Sequence, residues 1–265
     1  MKPVVLSGRL QAVVAMVTAG NRVCDVGCDH GFVPIYLVEQ GISPAVLAMD
    51  VKNGPLNAAR EHIAEHGLED VIETRLSDGL HNYNIGESDT LICAGMGGRL
   101  MMRILSDNPG KTESFRELIL QPQSEIEQFR AWLRQQGYRI TEENMIEEDG
   151  KFYPMMRVEI GADTGCEKLH EYVEKLRESA NNSTRYPMEE DKLCKLSDRY
   201  GPLLIYRRNS TLTAYLKREE RIYTEILATL QVQDLSDEKR KNRYAEVSEL
   251  LEDCRKALDI VTLKE

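Results

Sequence analysis

Arg22-Val23-Cys24-Asp25-Val26-Gly27-Cys28-Asp29-His30-Gly31-Phe32 is a short apolar run that ends in a glycine turn and passes directly into a helical pattern. Glycines at such a turn let the backbone approach a ligand closely, and the first N–H groups of the following helix face whatever sits there. Outward from this stretch, further β-type runs recur at residues 45–50, 71–76, 89–94 and 118–120. Helical spacing over 53–66, 98–105 and 124–136 fills the gaps between them. That alternation predicts an α/β fold with a mostly parallel sheet wrapped by helices. Residues 138–148 and 152–160 have only a Glu-Asp-Gly-Lys turn region between them, so they are expected to form an antiparallel terminal hairpin.

The chain has 265 residues, 42% hydrophobic and 29% charged, with 34 basic against 44 acidic side chains and a formal net charge of −10. This composition excludes collagen-like, low-complexity and disordered classes. The longest apolar run, residues 12–17, falls far short of the roughly 20 residues of a bilayer span, so no membrane segment is expected. The N-terminal residues lack the apolar core of a secretory leader, which favours a cytoplasmic protein. Six cysteines, at 24, 28, 93, 166, 194 and 254, form no Cys-x-x-Cys pair; reduced thiols and no metal site are expected.

Beyond the glycine-containing segment 161–165 the pattern changes. Residues 167–178 carry a helical stripe of Leu169, Tyr172, Val173 and Leu176, and a breaker-rich stretch follows from 181 to 202. Leu212, Leu216, Tyr223, Ile226 and Leu230, then Tyr244, Val247, Leu251, Cys254, Leu258 and Val261, fall on three- and four-residue steps on either side of a polar turn at 233–237. The spacing predicts an antiparallel helical coiled-coil hairpin, or else two amphipathic helices packed on the first domain. Two domains are therefore expected, 1–165 and 166–265.

Asp50 closes the second strand, where a carboxylate can accept both hydroxyls of a ribose, and Asp78-Gly79 closes the third, placed to meet an adenine edge. A dinucleotide site wants Gly-x-Gly-x-x-Gly so that a pyrophosphate can rest on the helix terminus. Here Asp29 stands between the glycines, and its carboxylate repels a pyrophosphate but suits a cation. S-adenosylmethionine, with its sulfonium and ammonium, fits that electrostatics better than NAD.

Taken with Ala48-Met49-Asp50, Ser77-Asp78-Gly79-Leu80, Ala94-Gly95-Met96-Gly97-Gly98 and Leu120-Gln121-Pro122, the glycine loop resembles the bacterial tRNA adenine-N1 methyltransferases that modify adenine 22, the TrmK family. The resemblance implies a Rossmann-like class I methyltransferase sheet, S-adenosylmethionine as cofactor and a C-terminal helical coiled-coil domain. It implies that Gly27, Asp29 and His30 line the methionine end of the cofactor, that Asp50 with its neighbour Val51 holds the ribose, and that Asp78 with Gly79 meets the adenine. Ala94, Gly95, Met96 and Gly97 become the floor between cofactor and target base, and Arg9 a candidate for the cofactor carboxylate. Many amino-group methyltransferases place an aromatic after strand four to stack the target base. None stands there in this chain, so Phe152 or Tyr153 at the hairpin turn is nominated.

Adenine N1 carries a free lone pair at neutral pH, so methyl transfer needs alignment rather than a base. Asp29 and Met96 are the residues expected nearest the chemistry; His30 has no proton to remove, and His62, His66, His81 and His170 have no partner visible in the sequence. N1 lies on the Watson–Crick edge, so the base must be unpaired or flipped. Residues 1–165 hold 15 basic against 24 acidic side chains, and residues 166–265 hold 19 against 20. The C-terminal cations cluster at Arg207, Arg208, Lys217, Arg218 and Arg221, and at Lys239, Arg240, Lys241 and Arg243, where they could clamp a tRNA backbone. No DNA partner is expected. A small-molecule methyltransferase and a non-catalytic binding module using the coiled coil are the competing readings.

Overall fold

The computed structural model describes residues 3–160, 166–179, 189–231 and 237–263. The chain divides into two compact units, Met1–Thr164 and Gly165–Glu265.

The first unit is built on a seven-stranded sheet. Its strands are β1 (Val23–Val26), β2 (Val46–Asp50), β3 (Ile72–Leu76), β4 (Thr90–Gly97), β5 (Glu117–Ser124), β6 (Tyr138–Glu148) and β7 (Lys151–Ile160), in the order β3-β2-β1-β4-β5-β7-β6. Pairing is parallel from β3 through β5 and antiparallel for β7 against β5 and β6. Every residue of β1 and β2 is buried, as expected for parallel strands covered on both faces. The β6–β7 turn places Asp149 and Gly150 at φ of 51° and 70°, the left-handed pair of a type I′ hairpin.

The helices are α1 (Gly8–Val14), α2 (Phe32–Glu39), α3 (Asn53–His66), α4 (Gly98–Asp107), α5 (Pro109–Thr112) and α6 (Ile126–Gln135). Val13, Val14, Ile35, Leu37, Leu56 and Ile63 from α1, α2 and α3 pack with Val23, Val46 and Ile92 of the sheet in one apolar layer. Gly31 starts α2 at φ of 78°, and a β-carbon there would lie 3.0 Å from that of Ala59 on α3; only glycine gives both the turn and this approach. α1, capped by the Ser7 hydroxyl, and α5 were not legible in the sequence. Strand order reverses between β1 and β4, so a crevice opens beyond their carboxyl ends, where open α/β sheets bind ligands. β4 and β5 continue past their apolar cores, which carries Gly95, Met96, Gln121 and Gln123 toward that crevice.

The second unit is helical: α7 (Cys166–Ser179), α8 (Glu190–Tyr200), α9 (Pro202–Tyr206), α10 (Ser210–Gln231) and α11 (Glu238–Thr262). The stretch expected to be irregular contains α8 and reaches the first residue of α9. Gly201-Pro202 is the junction between them, with Gly201 at φ of 92° ending one helix and Pro202 at the first position of the next. Residues 180–188 of that stretch, and 232–236 of the expected polar turn, lie outside the described residues. α10 and α11 pack antiparallel, with Arg255 on Glu220 at 2.8 Å and Gln231 on the Tyr244 hydroxyl at 2.9 Å. Leu212, Leu216, Val247, Leu251, Cys254 and Val261 are buried as the heptad spacing predicts, whereas Tyr223, Ile226, Leu230, Tyr244 and Leu258 are half-buried. Ala257 and Ile260, outside the heptad series, are also buried. α8 and α9 pack on α11 there, so its apolar face is wider than a two-stranded seam requires.

Candidate functional site

A cavity of about 610 Å³ occupies the crevice at the carboxyl ends of β1 to β4. Its first wall is the loop from β1 to α2. The Gly27 and Cys28 amides both donate to the Met49 carbonyl, at 2.8 and 3.1 Å, and Gly31 closes the turn on the Cys28 carbonyl at 2.8 Å. This places Asp29 at φ of 48°, a left-handed conformation that aspartate tolerates better than most residues. Asp29 and His30 are exposed at the rim, 3.7 Å apart. Phe32 follows, 42% exposed and stacked on His62 with ring centroids 4.9 Å apart. His62 is not the solvated histidine expected: its Nδ1 lies 2.9 Å from the His30 carbonyl, which can only accept, so Nδ1 carries the proton. His66 likewise has a partner, Glu39, at 2.7 Å.

The second wall is acidic. Asp25 and Asp50 are 4% and 9% exposed at the ends of adjacent strands. One Asp50 oxygen accepts the Lys52 amide at 2.8 Å, leaving the other for a ligand. Burial, and then the neighbouring Asp50 charge, push the Asp25 carboxyl from the ordinary 3.8 to about 7. Folded Asp25 therefore binds its proton more tightly than unfolded Asp25 does. Its contribution to stability is full below about pH 4 and is lost as pH rises through about 7. Asp25→Asn should thus gain stability relative to the parent between pH 5 and pH 8, measured by urea unfolding without ligand; a gap unchanged with pH would refute the assignment.

Asp78, expected to face an adenine, also carries a fork from Arg103 on α4, with 2.8 and 3.1 Å contacts that hold its carboxyl below the usual range. Val51, Gly79, Ala94, Gly95 and Met96 line the cavity. The Met96 methyl reaches across to within 2.3 Å of where a Gly27 β-carbon would stand, so Gly27 makes room for it. Gly97 does not line the cavity; a β-carbon there would sit 2.9 Å from the Ser124 hydroxyl, so it serves close packing against β5.

Arg9 lines the cavity from α1. Its guanidinium donates to the Gln121 amide oxygen at 2.7 Å and lies 5.6 Å over the Tyr153 ring, and its amide N–H donates to Glu148 at 3.2 Å. Neither Phe152 nor Tyr153 lines the cavity; its aromatic is Phe32. Tyr153 instead lies beneath Arg9, whose guanidinium covers its ring. Asp25, Phe32, Leu100, Arg103 and Gln123 also line the cavity and were missed as site residues. For Asp25 and Phe32 a signal existed, since both flank the glycine loop.

Among the described residues no cluster with metal-ligand spacing exists, and Cys24, Cys28, Cys93, Cys194 and Cys254 are free thiols. Among the described residues no helix is long and apolar enough to cross a membrane.

Residues 6–156 match the family model described as a methyltransferase domain. The chain is 35% identical to the tRNA (adenine(22)-N(1))-methyltransferase of Bacillus subtilis over 161 residues, 61% of this chain and 68% of the relative. The chain belongs to that methyltransferase family. Among solved structures of the family, the B. subtilis m1A22 tRNA methyltransferase TrmK shares 26% identity at a TM-score of 0.76, covering 97% of this chain and all of that one. The Streptococcus pneumoniae protein Sp1610, solved in complex with S-adenosyl-L-methionine, shares 27% identity at a TM-score of 0.75, covering 96% and 100%. The likeness to these structures thus extends through both units, including the helical one that the family model does not reach.

In that helical unit, Arg207, Lys217, Arg218 and Arg221 are exposed. Arg208 is not a free cation: at φ of 51° its Nε donates to the Tyr172 hydroxyl at 2.5 Å and its guanidinium covers the Tyr172 ring. Lys239 and Lys241 are exposed at the start of α11, while Arg243 pairs with Glu246 at 2.8 Å.

Proposed function

We propose that the protein transfers the methyl group of S-adenosylmethionine to N1 of an adenine, position 22, in tRNA. The observation that carries this is the pair of buried strand-end carboxylates, Asp25 and Asp50, in the switch-point crevice of a chain that matches an m1A22 tRNA methyltransferase over its whole length. The donor set fits the cofactor. Asp25 has no protein partner among the described residues and faces the cavity nearly buried, where a cationic ligand compensates it.

When bound, S-adenosylmethionine supplies an electrophilic methyl that the adenine N1 lone pair takes, the C–S bonding pair leaving on sulfur. Asp50 takes the ribose hydroxyls with its free oxygen, Val51 covers apolar cofactor surface, and Asp78, steadied by Arg103, receives the adenine amino group with Gly79. Gly27, Asp29 and His30 border the methionine end, where Asp29 offsets its ammonium or the charge growing on the product ring. Ala94, Gly95 and Met96 exclude water from the floor, with Gly97 fixing that loop from behind. Arg9 is oriented by Gln121 and Tyr153 for the cofactor carboxylate. No residue need act as base.

The helical unit, residues 166–265, contacts the tRNA backbone, and a tRNA substrate places the protein in the cytoplasm; neither DNA nor membrane is a partner. A small-molecule methyltransferase has no use for exposed cations on a helical appendage, and a mere binding module has no use for the acidic crevice. Incubation of radiolabelled S-adenosylmethionine with unmodified tRNA should yield labelled 1-methyladenosine. Cofactor binding without transfer to any RNA would sink the reading. Replacing Arg207, Lys217 and Arg221 together by alanine should weaken tRNA binding about 10-fold or more and flatten its salt dependence. Cofactor affinity should not change. Unaltered tRNA affinity would remove these cations from the interface.

A further inference from the structure

Near its carboxyl end β5 carries Gln121-Pro122-Gln123, beside Ala94-Gly95-Met96 of β4. The two amides divide their work. Gln121 is fully buried and committed: its oxygen accepts from Arg9 at 2.7 Å and from the Gly95 amide at 3.2 Å, and its nitrogen donates to the Pro122 carbonyl at 3.1 Å. Gln123 is exposed, lines the cavity, and holds its amide nitrogen 3.7 Å from where a Gly95 β-carbon would stand. Among the described residues its side chain has no hydrogen-bond partner, and it is the one carboxamide on the cavity wall. Arg9, which like Gln123 lies beside Gly95, is engaged by Gln121.

A carboxamide pairs bidentately with adenine through N6 and N7, its oxygen accepting from the amino group and its nitrogen donating to N7. That edge adjoins the reacting one at N6 but does not include N1. An amide placed against N1 and N6 would mask the nucleophile, whereas one placed against N6 and N7 leaves N1 open. Guanine offers acceptors at both O6 and N7, so the same amide oxygen meets another oxygen and rejects it. Resting on the methyl-transfer reading above, we propose that Gln123 is the residue that selects adenine, reading its N6–N7 edge at the mouth of the crevice and turning N1 toward the methyl group.

The test uses the full-length protein and unmodified tRNA transcripts carrying either adenine or 7-deazaadenine, which lacks the N7 acceptor, at the methylated position. Gln123→Ala should lower kcat/KM with ordinary tRNA by about 10- to 100-fold, the range of one bidentate base contact. Its S-adenosylmethionine affinity by calorimetry should match the parent, which a merely structural lesion would not leave intact. 7-Deazaadenine should cost the parent protein about 10-fold and the Gln123→Ala variant nothing further. Equal losses with the analogue in both proteins, or full activity of Gln123→Ala, would overturn the proposal while leaving methyl transfer standing. A parent protein that methylates no tRNA would instead remove the reading on which it rests.

Discussion

Asp50→Ala is expected to weaken S-adenosylmethionine binding on the order of 100-fold, from the loss of charge-assisted hydrogen bonds worth about 1.5–3 kcal/mol each. The side chain is nearly buried at the end of β2, and one oxygen is already tied to the Lys52 amide at 2.8 Å. That bond fixes the direction of the other oxygen, so the carboxylate meets a ribose without first losing rotamer freedom. The fold should not suffer. Asp25 stands close enough for the Asp50 charge to raise its pKa, so deleting Asp50 relieves a like-charge contact in the cofactor-free protein. Calorimetry on the parent, Asp50→Asn and Asp50→Ala should give graded losses, because asparagine keeps one acceptor and the Lys52 bond but not the charge. The thermal midpoint without cofactor should hold or rise. An Asp50→Ala variant with parental affinity would take Asp50 out of the site.

The sequence exposed those features that local spacing alone determines. Asp50 ends β2 and Asp78 follows the last residue of β3 by two, and a strand that runs through the core must deliver the residues at its carboxyl end to the crevice, so their positions followed from hydrophobic pattern. Gln123 and Arg103 were invisible by the same logic. Gln123 reaches the cavity only because β5 runs on past its apolar core, and Arg103 stands mid-helix between the buried Met101 and Ile104 of α4, where a charged residue reads as a solvated face. Phe152 and Tyr153 were nominated as exposed aromatics at a turn, yet the crevice aromatic is Phe32, one residue beyond the glycine loop. Arg208 shows the same limit for charge. Its place in a cationic run suggested a solvent-facing contact, but a left-handed backbone at that residue turns the guanidinium onto Tyr172. Gly201-Pro202 read as a break in structure because its two residues are also the ones that stop one helix and start the next.

Glu143→Ala should destabilise the protein by about 3–5 kcal/mol, the cost of stranding a buried charge. Glu143 lies on β6 and accepts from Arg130 Nε on α6 at 2.9 Å, with the two side chains 0% and 2% exposed. The loss comes less from the attraction removed than from the buried guanidinium left with its Glu143 hydrogen bond unreplaced. Replacing both partners by apolar residues of similar size, Arg130→Met with Glu143→Leu, should therefore recover most of the loss. The double variant isolates the reason the pair is costly to break. Urea unfolding of the parent, both single variants and the double variant forms a closed cycle. A double variant no better than Glu143→Ala would mean that the pair acts through its geometry, holding α6 against β6. That outcome would carry over to the site, since β5 and α6 are consecutive and β5 presents Gln123 to the crevice and Gln121 to Arg9.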